Sequence, residues 1–438
     1  MLKKSFHRRD LLKGGLLAGT AVVAKPSLGW EAGLPDVASI TPYPAPPEAA
    51  VLRSKEYGQR RIRKFQEAVR KGGLDALIIS NRSIDYVGYV SNYHPSSMQP
   101  AVAFIPAEGK PLLFMQMYSS AHVLFARQSI WMEDLVDVPR DPVSESSSVN
   151  FYKAVVSTLK DRNLTRGRVG LAGGEVDWML SDYFRTQLPE LRVEDANPLL
   201  WSLVIVKDEV ELALMWYTAR ISDEVAVPLI KKMLVPGTLD KDIFTEVLYA
   251  MMKAGADRSN LILGAAPYSA GIWATPAQNR RIQEGDIVLC EPIVNFRNYQ
   301  TERMFTFAVG KNVSESQKRG AQVIHESFQI ALEEMKPGRE LRPIYEKCNN
   351  HVKSKGYPEG ITVLIGHFIG MNNHEGPRIT SEGTKGLILQ PGTVLSWHPN
   401  VVVRGESGVR TISSSCLLIT KTGVEMMSKL PMEPIVYI

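Results

Sequence analysis

The chain has 438 residues, 44% of them hydrophobic, and a formal net charge of +5. This length favours two globular domains with a large core. Residues 1–24 hold five of the basic side chains and one acid, so the remaining chain has a charge of only +1 and no basic, aromatic-rich patch, which argues against a nucleic-acid partner.

The first 29 residues resemble a twin-arginine export signal. Arg8 and Arg9 precede an apolar run, Gly14–Ala24, that is too short to span a bilayer. We expect cleavage near Ala24 or Gly29 and a bacterial protein that the twin-arginine machinery delivers to the periplasm or secretes. After cleavage no stable membrane span is expected, and an uncleaved anchoring signal is the alternative. A Pro-rich arm or linker follows at 30–56.

The segment 57–205 alternates helical and strand patterns. Apolar spacing predicts a helix at 57–71, and buried strands are predicted at 77–79, 102–105 and 111–115. Helix 150–160, strand 167–171 and helix 175–187 continue the alternation. The pattern predicts a small α/β domain.

A second domain is predicted at 206–438. It begins with an acidic helix start after Lys207, which is a strong N-terminal signal. Further helices are predicted at 208–233, 239–254, 314–335 and 341–355. The three cysteines, Cys290, Cys348 and Cys416, are too few and too separated for a disulfide framework or a thiolate metal site.

Three segments of this domain, 290–303, 366–378 and 395–400, gather histidines and carboxylates. Apolar runs precede them, so their polar side chains are expected to project from a sheet into one cleft. One histidine at a strand end is more often structural than catalytic. His367, His374 and His398 together, each near a Gly or Pro at a strand boundary, predict a functional site.

Five short motifs resemble the pita-bread family of creatinase, aminopeptidase P and methionine aminopeptidase. They lie at 285–289, 366–370, 374–377, 391–394 and 417–423. The resemblance covers essentially the whole mature chain. It implies an α+β fold with a small α/β creatinase-type N-terminal domain at 57–205, a C-terminal pita-bread catalytic domain at 206–438, and a homodimer.

Peptidases of this family hold two divalent ions with side chains in the order Asp, Asp, His, Glu, Glu. The matching positions here are Glu291, Gln300, His367, His398 and Ser414. Because neutral donors offset the charge of two ions poorly, we expect no metal cofactor. Two alternatives remain open. A different register would make Glu302 the second ligand, or a single ion could be bound by Glu291, His367 and His398.

Creatinase and ectoine hydrolase are metal-free members that hydrolyse C–N bonds of small solutes. The resemblance therefore predicts an exported, metal-independent C–N hydrolase acting on a small, carboxylate-bearing molecule. The expected catalytic residues are His374, His367, Glu291 and Glu302, with imidazole carrying the proton. The expected substrate-binding residues are His398, Arg303, Arg378 and Gln300.

Other functions fit the same residues. An Xaa-Pro aminopeptidase-like metallopeptidase with an altered metal site is one alternative, and a non-catalytic solute-binding protein is another. Residue types also do not distinguish hydrolysis from lyase chemistry.

Overall fold

The computed structural model describes residues 37–80, 86–94, 101–116, 120–140, 149–173, 178–265, 279–361, 365–403 and 410–438. The predicted export signal and the first residues of the Pro-rich arm lie outside these ranges, so the prediction about them stays a prediction.

Helices and strands alternate along the N-terminal domain, after a short 3-10 turn at Val37–Ser39. The helices are α1 Glu48–Val51, α2 Lys55–Lys71, α3 Tyr86–Ser91, α4 Ser120–Ser129, α5 Val149–Asp161, α6 Trp178–Gln187 and α7 Asn197–Val204. The strands are β1 Ala76–Ser80, β2 Ala101–Pro106, β3 Leu112–Met115, β4 Asp134–Asp137, β5 Arg168–Ala172 and β6 Arg192–Asp195. They form one sheet in the order β4-β3-β2-β1-β5-β6.

The alternating side chains of β1 explain why helices cover both faces of this sheet. Leu77 and Ile79 pack into a core that also contains Phe65 of α2, whereas Ala76 and Ile78 pack into a second core with α5 and α6. Successive strand residues point to opposite faces, so an uninterrupted apolar strand requires apolar partners on each side.

The C-terminal domain begins with a long helical segment. Its helices are α8 Glu209–Ile221, α9 Val227–Met233, α10 Asp240–Lys253, α11 Glu315–Glu334 and α12 Leu341–Ser354, and a π-helical turn at Ser222–Ala226 joins α8 to α9. Asp208 caps α8 by accepting hydrogen bonds from the backbone N–H groups of Val210 and Glu211. This cap fixes the point at which the chain enters the domain.

Two sheets of the C-terminal domain carry the polar segments singled out above. The strands are β7 Asn260–Ala265, β8 Ile287–Phe296, β9 Tyr299–Glu302, β10 Phe305–Ala308, β11 Gly366–Phe368, β12 Val394–Trp397, β13 Asn400–Val402, β14 Arg410–Ile412, β15 Ser415–Ile419, β16 Val424–Met426 and β17 Val436–Tyr437. One sheet has the order β17-β10-β8-β7, with β9 paired to β8, and the other has the order β11-β12-β15-β16. Strands β13 and β14 pair separately.

The hairpin of β8 and β9 turns through two residues with left-handed backbones. Arg297 has φ 53° and Asn298 has φ 67°, the signs that a tight type I′ hairpin turn requires. This turn sets a register in which Ile293 lies opposite Glu302.

A buried arginine joins the two domains. Arg61 of α2 donates a 3.1 Å hydrogen bond to the Tyr299 hydroxyl of β9, lies 3.3 Å from a Glu211 carboxylate oxygen of α8, and stacks on the Tyr89 ring. A single core cluster also contains residues of both domains, and the described chain from Val37 onward forms one compact unit.

The α+β, two-domain fold predicted from the sequence is confirmed, with predicted helices and strands found within a few residues of their predicted ends. Among the described helices, none is long and apolar enough to span a membrane.

Candidate metal centre

Three buried side chains from separate parts of the C-terminal domain converge on one point. Glu302, His367 and His398 each present a ligand atom, and these atoms all lie within 4.8 Å of one another. Within the residues that the structure describes, this is the one group of His, Cys, Asp and Glu side chains that meets the geometry of a metal site.

The two sheets bring these residues together on or directly after strands β9, β11 and β12. Glu302 is the last residue of β9, His367 lies at the centre of β11, and His398 directly follows β12. Strand β11 pairs with β12, and the His398 backbone N–H donates to the carbonyl oxygen of Ile365 at 2.7 Å. Both histidines are therefore held by the ladder of one sheet.

His367 and Glu302 form a hydrogen-bonded pair. His367 Nε2 lies 2.9 Å from Glu302 Oε1, and His367 Nδ1 lies 3.2 Å from the Phe368 carbonyl oxygen, which orients the ring. Burial acts to lower the pKa of His367, but the Glu302 carboxylate raises it above its usual value. Burial acts to raise the pKa of Glu302, but His367 and His398 lower it to about 2.

Their surroundings lower the pKa of the other two imidazoles, which favours the neutral form near pH 7. Burial and the neighbouring His367 lower the pKa of His398 to about 3. They also lower the pKa of His374 to about 4, and its ring stacks on His367 with centroids 3.7 Å apart. The structure thus brings all three predicted histidines together, with His374 beside the ligand group and not in it.

Glu291 lies next to this group on the same face of the hairpin. It stands two residues before Ile293, the residue opposite Glu302, and strand alternation turns both carboxyl groups the same way. The residue is 2% exposed, and within the described part of the chain its Oε1 atom has no hydrogen-bond partner. Burial and the Glu302 charge raise its pKa well above the usual value.

Two residues that contact Glu302 are not among the site residues predicted from the sequence. Asn373 donates a hydrogen bond from Nδ2 to Glu302 Oε2 at 2.5 Å, and the Cys416 sulfur lies 3.4 Å from both the backbone N and O of Glu302. Asn373 lies between His367 and His374 in a segment already singled out, and its polarity in that segment was the available signal.

Three predicted substrate-binding residues lie in different positions. Arg378 is close enough to His374 to help lower its pKa. Gln300 donates to the Met371 carbonyl oxygen at 3.2 Å, and so its amide is used by the backbone. Arg303 is turned to the C-terminal segment, where it donates to the carbonyl oxygens of Leu430 and Pro431 and to the Ser428 hydroxyl. The structure does not bring Arg303 to the cluster, because strand alternation points it away from Glu302.

Proteins with similar sequences align with about half of this chain. The Xaa-Pro dipeptidase of Pyrococcus horikoshii is 26% identical over 226 residues, which are 51% of this chain and 63% of that protein, less than two thirds of its length. Methionine aminopeptidase 1 of Bacillus subtilis is 28% identical over 230 residues, 50% of this chain and 91% of that protein.

Solved structures share most of this architecture at low sequence identity. The prolidase of Pyrococcus horikoshii has a TM-score of 0.70 at 20% identity, covering 85% of this chain and 99% of its own. The dipeptidase PepE of Mycobacterium ulcerans has a TM-score of 0.75 at 19% identity, covering 88% of this chain and 99% of its own. These similarities show the fold.

Two family models match nearly all of the described chain, the creatinase/prolidase N-terminal domain at residues 61–204 and metallopeptidase family M24 at 213–420. Peptidases hydrolyse C–N bonds, so the match to this family model agrees with the reaction class expected from the sequence. The prediction of no cofactor is wrong, because the matching family is one of metallopeptidases and the structure assembles a ligand group. The carboxylate of this group is Glu302, which was expected as a metal ligand only if the register differed, whereas the single-ion alternative had Glu291 in its place. The chain belongs to the pita-bread metallopeptidase family M24.

Proposed function

We propose that this protein is a metal-dependent hydrolase of the Xaa-Pro peptidase type that works with one divalent ion bound by Glu302, His367 and His398. The observation that carries the proposal is the convergence of these three buried ligand atoms within 4.8 Å. The names of the aligned relatives, two of them Xaa-Pro dipeptidases from Pyrococcus species, support the choice of substrate.

The chemistry of the donors fits a borderline divalent ion such as Zn²⁺. Two imidazoles and one carboxylate are a common ligand set for zinc at catalytic sites, where a further position stays open for substrate. The Glu291 Oε1 atom, which has no partner among the described residues, also fits a nearby cation, since a buried polar atom without a partner is costly.

A second ion lacks donors at the matching positions. The Ser414 hydroxyl accepts a 2.6 Å hydrogen bond from the Met304 backbone N–H, and Gln300 donates to Met371. Neither side chain carries a negative charge to offset desolvation of a second cation. One ion per chain is therefore the proposed stoichiometry.

A bound ion would supply Lewis acidity to the carbonyl group of the scissile bond. Side chains of the protein orient the ligands and bind the substrate. Phe368 holds the His367 ring, and Asn373 holds the Glu302 carboxylate. Neutral His374 has one N–H donor and one acceptor nitrogen, so it can donate to the carbonyl oxygen without adding charge. Arg378, near His374, can receive the carboxylate of a small peptide.

The test begins with chelator-treated protein, to which Zn²⁺, Mn²⁺ or Co²⁺ is returned before proline release from Ala-Pro is measured. We expect activity to saturate at one ion per chain. Glu302→Gln should bind the ion at least tenfold more weakly and lose turnover. Glu425→Gln is the matched control, because Glu425 is an exposed carboxylate on β16.

The outcomes separate the two parts of the proposal. Full activity after complete metal removal would refute the metal centre. One tightly bound ion without release of proline from any Xaa-Pro dipeptide would leave the centre in place and refute the substrate class. Two ions per chain at saturation would refute the single-ion stoichiometry.

We also propose export by the twin-arginine machinery and assembly as a homodimer. The paired Arg8 and Arg9 before an apolar run support export. A reporter fused to residues 1–29 should reach the periplasm, and the Arg8→Lys/Arg9→Lys variant should keep it in the cytoplasm. Sedimentation of the purified protein tests the dimer, and a single monomeric species would refute it.

A further inference from the structure

A buried ion pair next to His374 in the chain has no part in the proposed chemistry. Lys207, which precedes α8, contacts a carboxylate oxygen of Glu375, the residue after His374. Both side chains are fully buried, with 0% exposure. The lysine ammonium group also donates to the Val204 carbonyl oxygen.

Stability alone does not account for such a pair. Desolvating two charges costs about as much as their attraction returns, and replacing both partners by apolar side chains of similar volume is often neutral or stabilising. The pair can instead fix the position of Glu375 relative to Lys207. The Lys207 backbone N–H donates to the Gly392 carbonyl oxygen at 2.8 Å, and Val206 forms a β-bridge with Thr393, so the lysine starts from an immobile point.

Residues 369–376 form a loop after β11, and Glu375 holds this loop closed. Its backbone N–H donates to the Phe368 carbonyl oxygen at 3.0 Å, and its side chain accepts from the Asn372 backbone N–H at 3.5 Å. Gln300 fixes the other side of the loop through a 2.9 Å hydrogen bond from its backbone N–H to the Gly370 carbonyl oxygen.

The 369–376 loop carries two groups that touch the metal ligands. Asn373 donates to Glu302, and His374 stacks on His367. Both positions depend on where Glu375 is held, since Asn373 and His374 are its two preceding neighbours in the chain.

The ion pair packs closely against the backbone of Gly370. A side-chain carbon added at Gly370 would lie 2.6 Å from Glu375 Oε1 and 2.6 Å from Lys207 Nζ. Such distances are far shorter than van der Waals contact. The glycine and the ion pair are therefore matched in shape.

We propose that Lys207 and Glu375 are positioning residues, which hold the 369–376 loop so that Asn373 and His374 meet the ligands Glu302 and His367. The inference rests on the proposed function for its consequence in catalysis. Its geometric part, the stacking of His374 on His367, concerns the protein without any ion.

The experiment uses the double variant Lys207→Met/Glu375→Met, which removes both charges and keeps similar side-chain volume. Its melting temperature should stay within a few degrees of the parent. The ring-current shifts of the His367 and His374 protons in the metal-free protein, read by NMR of labelled histidine, should be lost. The dissociation constant for Co²⁺ should rise at least tenfold, and kcat should fall at least tenfold with a smaller change in KM.

Two further variants keep the test decisive. Gly370→Ala displaces the pair without removing a charge and should give the same NMR and Co²⁺ changes. It takes the place of the double variant if that variant does not fold. Arg280→Met/Asp286→Met removes another largely buried ion pair, at the start of β8, and should leave both signals unchanged.

Unaltered histidine shifts and Co²⁺ affinity in a folded double variant would overturn the inference. If the parent binds no Co²⁺, the proposed function fails, but the histidine shifts still decide whether the pair positions the loop.

Discussion

Removal of the Asn373 side chain should weaken the metal centre without touching a ligand. The Asn373 amide donates a 2.5 Å hydrogen bond to Glu302 Oε2, and Glu302 is 4% exposed, so no water can easily replace the donor. A hydrogen bond to a charged group contributes about 1.5–3 kcal/mol. Since about 1.4 kcal/mol is a factor of ten, the Asn373→Ala variant should bind Zn²⁺ roughly 10- to 100-fold more weakly, the range seen when groups that orient metal ligands are lost.

The assay is competition for Zn²⁺ between the protein and a chromophoric chelator at fixed pH. Asn150→Ala is the matched control, because Asn150 also donates one hydrogen bond, to Pro139, but lies in the N-terminal domain. Asn373→Asp, which sets a second negative charge against Glu302, should change the affinity differently from Ala. An Asn373→Ala variant that binds Zn²⁺ within twofold of the parent would refute the reasoning.

Three further predictions follow from charge and packing. The pKa of His367 lies above its usual value in the ion-free protein, so an ion must displace its proton. The apparent Zn²⁺ affinity should therefore rise with pH until this raised pKa is passed and then level off. A pH-independent affinity between pH 6 and 8 would contradict this expectation. Arg61→Leu leaves the buried Glu211 carboxylate without its cation and should lower the free energy of unfolding in urea by about 3–5 kcal/mol; a loss below 1 kcal/mol would show that the arginine is not needed. Gly58→Ala should destabilise the protein by about 1–3 kcal/mol because the added carbon would overlap the Trp131 ring, whereas Gly423→Ala, which meets no atom within 4 Å, should leave the melting temperature nearly unchanged.

Local patterns predicted where the histidines would meet. His367 and His398 stand at or just after apolar strand segments, and such strands pair within one sheet, so their convergence followed from patterning. The capped start of α8 after Lys207 was likewise readable from Asp208 and Glu211.

The identity of the carboxylate ligand could not be predicted in this way. It depends on the register of the β8–β9 hairpin, which turns at Arg297-Asn298, residues that do not form the usual Asn-Gly turn signal. A shift of register would change which carboxylate faces His367. The role of Lys207 was equally hidden, since its partner Glu375 lies far along the chain and only tertiary packing brings the two together.

The Arg61 contact links amino-acid replacements in the N-terminal domain to the C-terminal domain. Tyr299, which Arg61 holds from the N-terminal domain, lies in the same short strand as Glu302. Replacement of Arg61 would therefore remove a contact to the strand that ends at Glu302, the proposed metal ligand. We therefore expect that a graft of this C-terminal domain onto a foreign N-terminal domain would need a matching arginine to keep the Tyr299 contact.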